Sequence, residues 1–263
     1  MLRLPFILAV LALFSMPASA ASTSWFKSEG GAVRLVTSGL SDTRGRLRGA
    51  LEIRLNPGWK TYWRNPGASG IPPQIDLRQS SEIAGVEILY PAPERVEDDY
   101  ATWAGYKKSV ALPVVFSLGE PESAGIIEGS LFLGICETIC IPFQAEFSFD
   151  AGANPYDPAD AATVDAAFAT LPKEAHAGFS VTNVSRRKGS IEFDTVLPPG
   201  TGKPALFIAA PEGAQIAMPE LKAHEEGRAT FSAEILTAPG VGAALDYTLV
   251  FGEDAVSGTL TLP

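Results

Sequence analysis

Hydrophobic and polar residues alternate with a period of two along much of this chain, and that period predicts β-strands. In Arg46–Leu55, Leu47, Gly49, Leu51, Ile53 and Leu55 alternate with Arg46, Arg48, Ala50, Glu52 and Arg54, which predicts a strand with one buried and one wet face. Val33–Thr37, Gln74–Leu77, Val86–Leu89 and Lys107–Leu118 predict further strands, and Pro113 inside the last of these predicts an edge or a bulge. Ile126–Ile135 and Ile141–Asp150 form a matched pair. Leu131, Phe132, Leu133 and Ile135 read as a fully buried strand, whereas Phe143, Ala145, Phe147 and Phe149 alternate with Gln144, Glu146 and Ser148.

The pattern changes once. Across 155–172, Val164, Phe168 and Leu171 fall at helical spacing, Asp157 can cap, and Pro158 suits the first helical position. This predicts one helix, ending by Pro172 and packed as a linker between modules. Period two then resumes in Phe179–Val184, Ser190–Thr195, Ala205–Ala209, Gln215–Met218, Ala229–Ile235, Tyr247–Phe251 and Gly258–Leu262, with Pro/Gly turns between them. Even spacing with turn punctuation fits a small antiparallel sandwich. The expected organisation is a leader at 1–20, a first β module at 21–152, a helical linker at 153–177 and a second β-sandwich module at 178–263.

The leader has the marks of a secretory signal: Arg3, the apolar run Phe6–Phe14, and the small-residue site Ala18-Ser19-Ala20, with cleavage after Ala20. No other apolar run approaches the roughly 20 residues a spanning helix needs, so an exported protein without direct membrane insertion is expected. The formal net charge is −10, or −11 once Arg3 leaves with the leader. An acidic chain without a basic run is a poor partner for nucleic acid or anionic lipid.

Chemistry narrows to two residues. His176 and His224 stand alone, without metal-ligand spacing, and no serine-hydrolase elbow, phosphate loop or dinucleotide fingerprint appears. No cofactor and no metal is expected. The only cysteines are Cys136 and Cys140. On one extended strand they would lie about 13 Å apart, too far for a disulfide, so they can bridge only if the chain reverses between them. A hairpin with a three-residue loop does this. Export permits the disulfide, and so small a loop gives it little stabilising effect, which favours a redox pair over a clip. Glu137 would raise a neighbouring thiol pKa, so a strongly activated nucleophile is not expected.

Two aromatic stretches precede this pair in sequence. In Trp59–Arg64, Trp59, Thr61 and Trp63 share one face, and Lys60, Tyr62 and Arg64 the other. The tryptophans read as core and Tyr62 as the better site candidate. Tyr90–Tyr106 is an acidic–aromatic loop carrying Glu94, Glu97, Asp98, Asp99, Tyr100, Trp103 and Tyr106, with Gly105 as a hinge. It reads equally as a lid over a site or as a solvated connection.

The segments GWKTYWRNPG (58–67), SGIPPQI (69–75), YPAPER (90–95), GYKKSVALPV (105–114) and GICETICIP (134–142), in that order and spacing, resemble the N-terminal periplasmic domain of the thiol:disulfide interchange protein DsbD and its ScsB-type relatives. The resemblance covers about Val33 to Asp150. It implies an immunoglobulin-like antiparallel β-sandwich whose hairpin carries a redox-active pair, matched here by Cys136 and Cys140. It also implies a cap loop, for which Trp103 and Tyr106 are candidates, with Tyr62 as a neighbour.

The implied activity is protein-disulfide reduction. Electrons would come from a membrane-embedded thiol reductase, here on a separate chain, and pass to periplasmic thioredoxin-like or isomerase proteins and to cytochrome c maturation. Three residues between the cysteines are fewer than the best-known members have. Cys140 is favoured as the attacking thiol because Pro142 ends pairing nearby. The other readings of the same residues are a non-enzymatic binding module with a structural disulfide and a periplasmic Cu(I) binder.

Overall fold

The computed structural model describes residues 21–67, 70–77, 83–97 and 102–263. The expected leader at 1–20 and Asp98, Asp99 and Tyr100 of the acidic–aromatic segment lie outside them. The fold is mainly β, as the period-two pattern predicts, with immunoglobulin-like antiparallel sheets and, among the described residues, one short helix. No helix among the described residues is long and apolar enough to cross a membrane.

The first half supplies β1 (Phe26–Ser28), β2 (Gly31–Ser38), β3 (Arg46–Leu55), β4 (Thr61–Gly67), β5 (Gln74–Asp76) and β6 (Ile83–Ile88). It continues through β7 (Glu94–Glu97), β8 (Thr102–Tyr106), β9 (Val110–Leu118), β10 (Ile126–Cys136) and β11 (Cys140–Asp150). One sheet runs β1-β2-β3-β9-β6 and a second β11-β10-β5, while β4-β8-β7 form a third. Apolar residues from the facing strands close one core, among them Val33, Leu35, Leu51, Ile53, Leu112, Phe116, Leu131, Leu133 and Phe147. Each such side chain contributes about 1.5–3 kcal/mol on burial.

Three local expectations change. Pro113 sits on β9 between β3 and β6, not on an edge. Its carbonyl accepts from Leu89 N, so its ring nitrogen faces the same side, just past the last β6 pair, Ile88↔Val114, and no ladder bond is lost there. The polar face of β3 is not fully wet. The helix α1 (Pro158–Ala169) lies across it, burying Val36 and Ala50 under Val164 and Ala167, with Arg48 stacked 4.1 Å over Phe168. Asp157 caps it as predicted, accepting from Ala159 N and Asp160 N. Finally, most of the described part of the Tyr90–Tyr106 segment is strand, since β7 and β8 pair from Glu94↔Gly105 to Glu97↔Thr102.

The second half holds β12 (Lys173–Glu174), β13 (Ser180–Arg187), β14 (Ser190–Val196), β15 (Ala205–Ala209) and β16 (Gln215–Ile216). These are followed by β17 (Glu220–Glu225), β18 (Arg228–Thr237), β19 (Ala244–Phe251) and β20 (Asp254–Thr261). One sheet runs β12-β20-β19-β15. The other runs β13-β14-β18-β16, with β17 also on β18. Ile191, Phe193, Phe231, Leu245 and Leu249 are buried between them.

The two cores meet along β15. Leu206 and Ile208 point into the second core, while Phe207 between them is buried in the first, 5.8 Å from Trp63. Alternation on a single strand thus serves both cores. Polar contacts flank this plug: Arg64 to Asp246 at 2.9 Å, Asn65 Nδ2 donating to Ile208 O at 2.7 Å, and Arg95 Nη1 donating to Pro219 O at 2.8 Å.

Candidate functional site: the disulfide hairpin and its neighbours

The β10–β11 ladder runs without a bulge from Ile126↔Asp150 to Cys136↔Cys140, so Pro142, paired with Gly134, does not end the pairing as expected. Its register is set by the apolar root, because a slip of one residue would turn Phe143, Phe147 and Phe149 out of the core. The tip therefore inherits a fixed position. Glu137, Thr138 and Ile139 reverse the chain, the cysteine Cα atoms come within 4.0 Å, and the two sulfurs are joined in a disulfide.

The chain just before β4 and its first residue hold the tip on one side. Lys60 N donates to Cys136 O at 2.8 Å, and Cys136 N donates to Lys60 O at 2.9 Å. Thr61 Oγ1 donates to Gly134 O at 2.9 Å, and Gly134 N donates to Ile71 O at 2.9 Å. The opposite end of the loop carries no comparable clamp among the described residues, and the two cysteines differ accordingly. Cys136 is 1% exposed and packs with Tyr62, Val96 and Trp103. Cys140 is exposed, and the neighbouring Ile139 is 77% exposed.

Tyr62 joins the two halves of this arrangement. Its hydroxyl lies 3.1 Å from Cys140 Sγ. A disulfide sulfur has no hydrogen to give, so the phenol is the donor. The ring occupies space that side chains at Gly70 and Gly134 would fill: a Cβ on Gly70 would come within 2.8 Å of it, and one on Gly134 within 3.2 Å. Trp103, buried on β8, meets the ring edge-on at 5.8 Å and 77°. Lys60 Nζ lies 4.6 Å over the Trp103 ring. Beside the tip is an open groove of about 310 Å³, lined by Lys60, Val96, Glu97, Trp103, Lys107 and Glu137. A larger groove of about 1000 Å³ between the two cores, lined in part by Arg64, Arg95 and Asp246, is lined by neither cysteine.

The structure thus brings Cys136, Cys140, Tyr62 and Trp103 together. Tyr106 is placed differently. It lies in the first core, its hydroxyl donates to Pro91 O at 2.9 Å, and burial, followed by the neighbouring Tyr90, pushes its pKa well above the usual phenol value. Trp63 is core and Trp59 packs against it, in line with the alternation that put Tyr62 on the opposite face. Sequence reasoning missed Ile71, whose carbonyl holds Gly134 N, and Gly70 and Gly134, which leave room for the Tyr62 ring. Lys60 was legible, since it shares the Tyr62 face. Ile71 and the glycines act through the backbone and through absent atoms, which leave no pattern.

Fold and site together define an immunoglobulin-like β protein that carries an exposed, disulfide-closed hairpin. More narrowly, residues 36–151 match the family profile of the thiol:disulfide interchange protein DsbD, N-terminal, and this stretch is a DsbD N-terminal-like domain. The profile covers somewhat less than half of the 263 residues. Among solved structures, the N-terminal periplasmic domain of ScsB from Proteus mirabilis matches with a TM-score of 0.76 at 24% identity, covering 93% of this chain and 99% of that one. At that identity the likeness establishes the fold, and it spans both cores. A marsupial T cell receptor (8% identity, 89% and 98% covered, TM-score 0.23) and the titin Ig tandem A164-A165 (11%, 89% and 97%, TM-score 0.20) are too distant to carry an argument. No curated protein sequence gives a significant match.

Proposed function

We propose that this protein is an exported thiol–disulfide exchange relay working through Cys136 and Cys140. The observation that carries the reading is the unequal pair at the end of a fixed ladder, with one sulfur buried and clamped and the other exposed. Exchange needs one accessible sulfur and a second held within reach. The family profile over 36–151 supports thiol–disulfide interchange as the class of chemistry, with other thiol-redox proteins as the general class of partner.

In the cycle, the Cys140 thiolate attacks a partner disulfide. A mixed disulfide forms and one partner sulfur leaves, taking up a proton. Cys136 then loses its proton and attacks Cys140 Sγ, which restores the internal disulfide and releases the partner's second thiol. Two electrons and two protons pass to the partner. A membrane-embedded thiol reductase returns them, and periplasmic thioredoxin-like or isomerase proteins, including those of cytochrome c maturation, are the acceptors. Trp103 and Tyr62 act as the cover over the buried half of the pair.

Single-cysteine trapping tests this. With an oxidised thioredoxin-like protein as probe, Cys136→Ser leaves Cys140 free to form a mixed disulfide that cannot resolve, and the adduct accumulates. Cys140→Ser leaves the buried thiol and gives little adduct. Equal trapping by both variants contradicts the assignment of Cys140, and no trapping by either contradicts the relay.

A further inference from the structure

The charged groups around the hairpin tip oppose one another. Glu137 lies on the hairpin itself, Glu97 on β7, Lys60 just before β4 and Lys107 just after β8. Among the described residues these are two carboxylates and two ammonium groups, of no net formal charge together. What is directional is the Tyr62 hydroxyl, 3.1 Å from Cys140 Sγ. Its ring is fixed by Trp103 at 5.8 Å and by the space at Gly70 and Gly134, so the hydroxyl cannot swing away without moving buried groups. A sulfur in a disulfide is a weak acceptor, and a thiolate is a much stronger one. The same contact is therefore worth most in the reduced, ionised state.

We propose that Tyr62 is a catalytic residue of the exchange reaction, donating its phenolic hydrogen bond to the Cys140 thiolate. The inference rests on the relay reading above. It adds that one residue sets two properties in opposite senses. Stabilising the thiolate lowers the Cys140 pKa and enlarges the reactive fraction near neutral pH. Stabilising the reduced form also raises the reduction potential, so the pair gives up electrons less readily than it would without Tyr62.

The test uses Tyr62→Phe, which keeps the ring and removes only the hydroxyl, both in the otherwise unchanged protein and in a Cys136→Ser background. In the latter, the rate of alkylation by iodoacetamide against pH reports the Cys140 pKa. Tyr62→Phe is expected to raise that pKa by about one unit, because a hydrogen bond to a charged group is worth roughly a factor of ten or more. It should slow exchange with oxidised glutathione near neutral pH by only about threefold, because the more basic thiolate is the better nucleophile and offsets part of the lost thiolate fraction. Above the pKa it should shift the equilibrium constant against a dithiothreitol buffer about tenfold towards oxidised protein, about 30 mV.

A residue that only fills space would change the unfolding midpoint while leaving the pKa and the equilibrium constant in place, and that result overturns the proposal. Should Tyr62→Phe fail to fold, the Cys136→Ser protein alone decides. A Cys140 pKa below the ordinary thiol value of about 8.5 is required, and a value at or above it overturns the proposal. Loss of trapping in Cys136→Ser would instead overturn the relay itself, so the two failures are distinguishable.

Discussion

The root and the tip of the β10–β11 hairpin use the same ladder for opposite ends. At the root, Leu131, Leu133, Phe147 and Phe149 are buried in the first core, and every residue from Ile126 to Gly134 has a partner on β11. At the tip, the eleventh and last register pair, Cys140 and Ile139 face solvent and the disulfide closes a loop of three residues. Stability is concentrated where nothing reacts, and access is concentrated where little is packed. The ladder transmits position from one to the other, because its register leaves the tip only one place to be.

This division can be broken from either end. The largest effect is expected at the root. Phe147→Ala should cost about 3–5 kcal/mol, read as a lower urea midpoint, while the alkylation rate of Cys140 in reduced, still-folded protein stays close to the unchanged value. A matching collapse of thiol reactivity in folded protein would show that root and tip are not separable.

A comparable loss, about 3–5 kcal/mol, is expected for Phe207→Ala, because that ring comes from β15 and plugs the first core against Trp63. The two halves should unfold in one transition in the unchanged protein. Two well-separated transitions would mean that the plug does not couple them.

Removing the disulfide by replacing both cysteines with serine should cost less, about 2 kcal/mol for a loop this short, and should abolish exchange. A loss as large as that of Phe147→Ala would mark the disulfide as a structural clip. Smallest of all, Ile139→Ser should change stability by no more than about 0.5 kcal/mol, since the side chain is 77% exposed, as measured by the thermal midpoint.

Much of this was legible in the sequence, and the reasons are local. Strand β3 was read with its observed bounds, because five apolar residues alternate there without a break. Reach alone made a reversal between Cys136 and Cys140 the condition for a disulfide, which the chain meets, and the Asp157–Pro158 helix start followed from capping chemistry. Tyr62 was placed on the right face by counting by twos from Trp59. What could not be read was set by long-range contacts. The docking of α1 on β2 and β3 depends on small residues, Ala50 and Ala167, that carry no strong signal. The placement of Tyr106 in the core depends on Pro91 fifteen residues away. The β7–β8 pairing was hidden because β7 is mostly charged and β8 carries a glycine between its aromatics, so composition there looks like a loop. The sharing of β15 between two cores needs the second core to exist before Phe207 has two sides to choose from.

The central claim is that the Cys136–Cys140 disulfide is a working pair and not a brace, and its reduction potential tests this most directly. Equilibrating the protein in defined dithiothreitol buffers and counting free thiols gives the value. The relay account predicts a potential above about −300 mV, in the range of exchange proteins, and a value well below that, where structural disulfides lie, would contradict it.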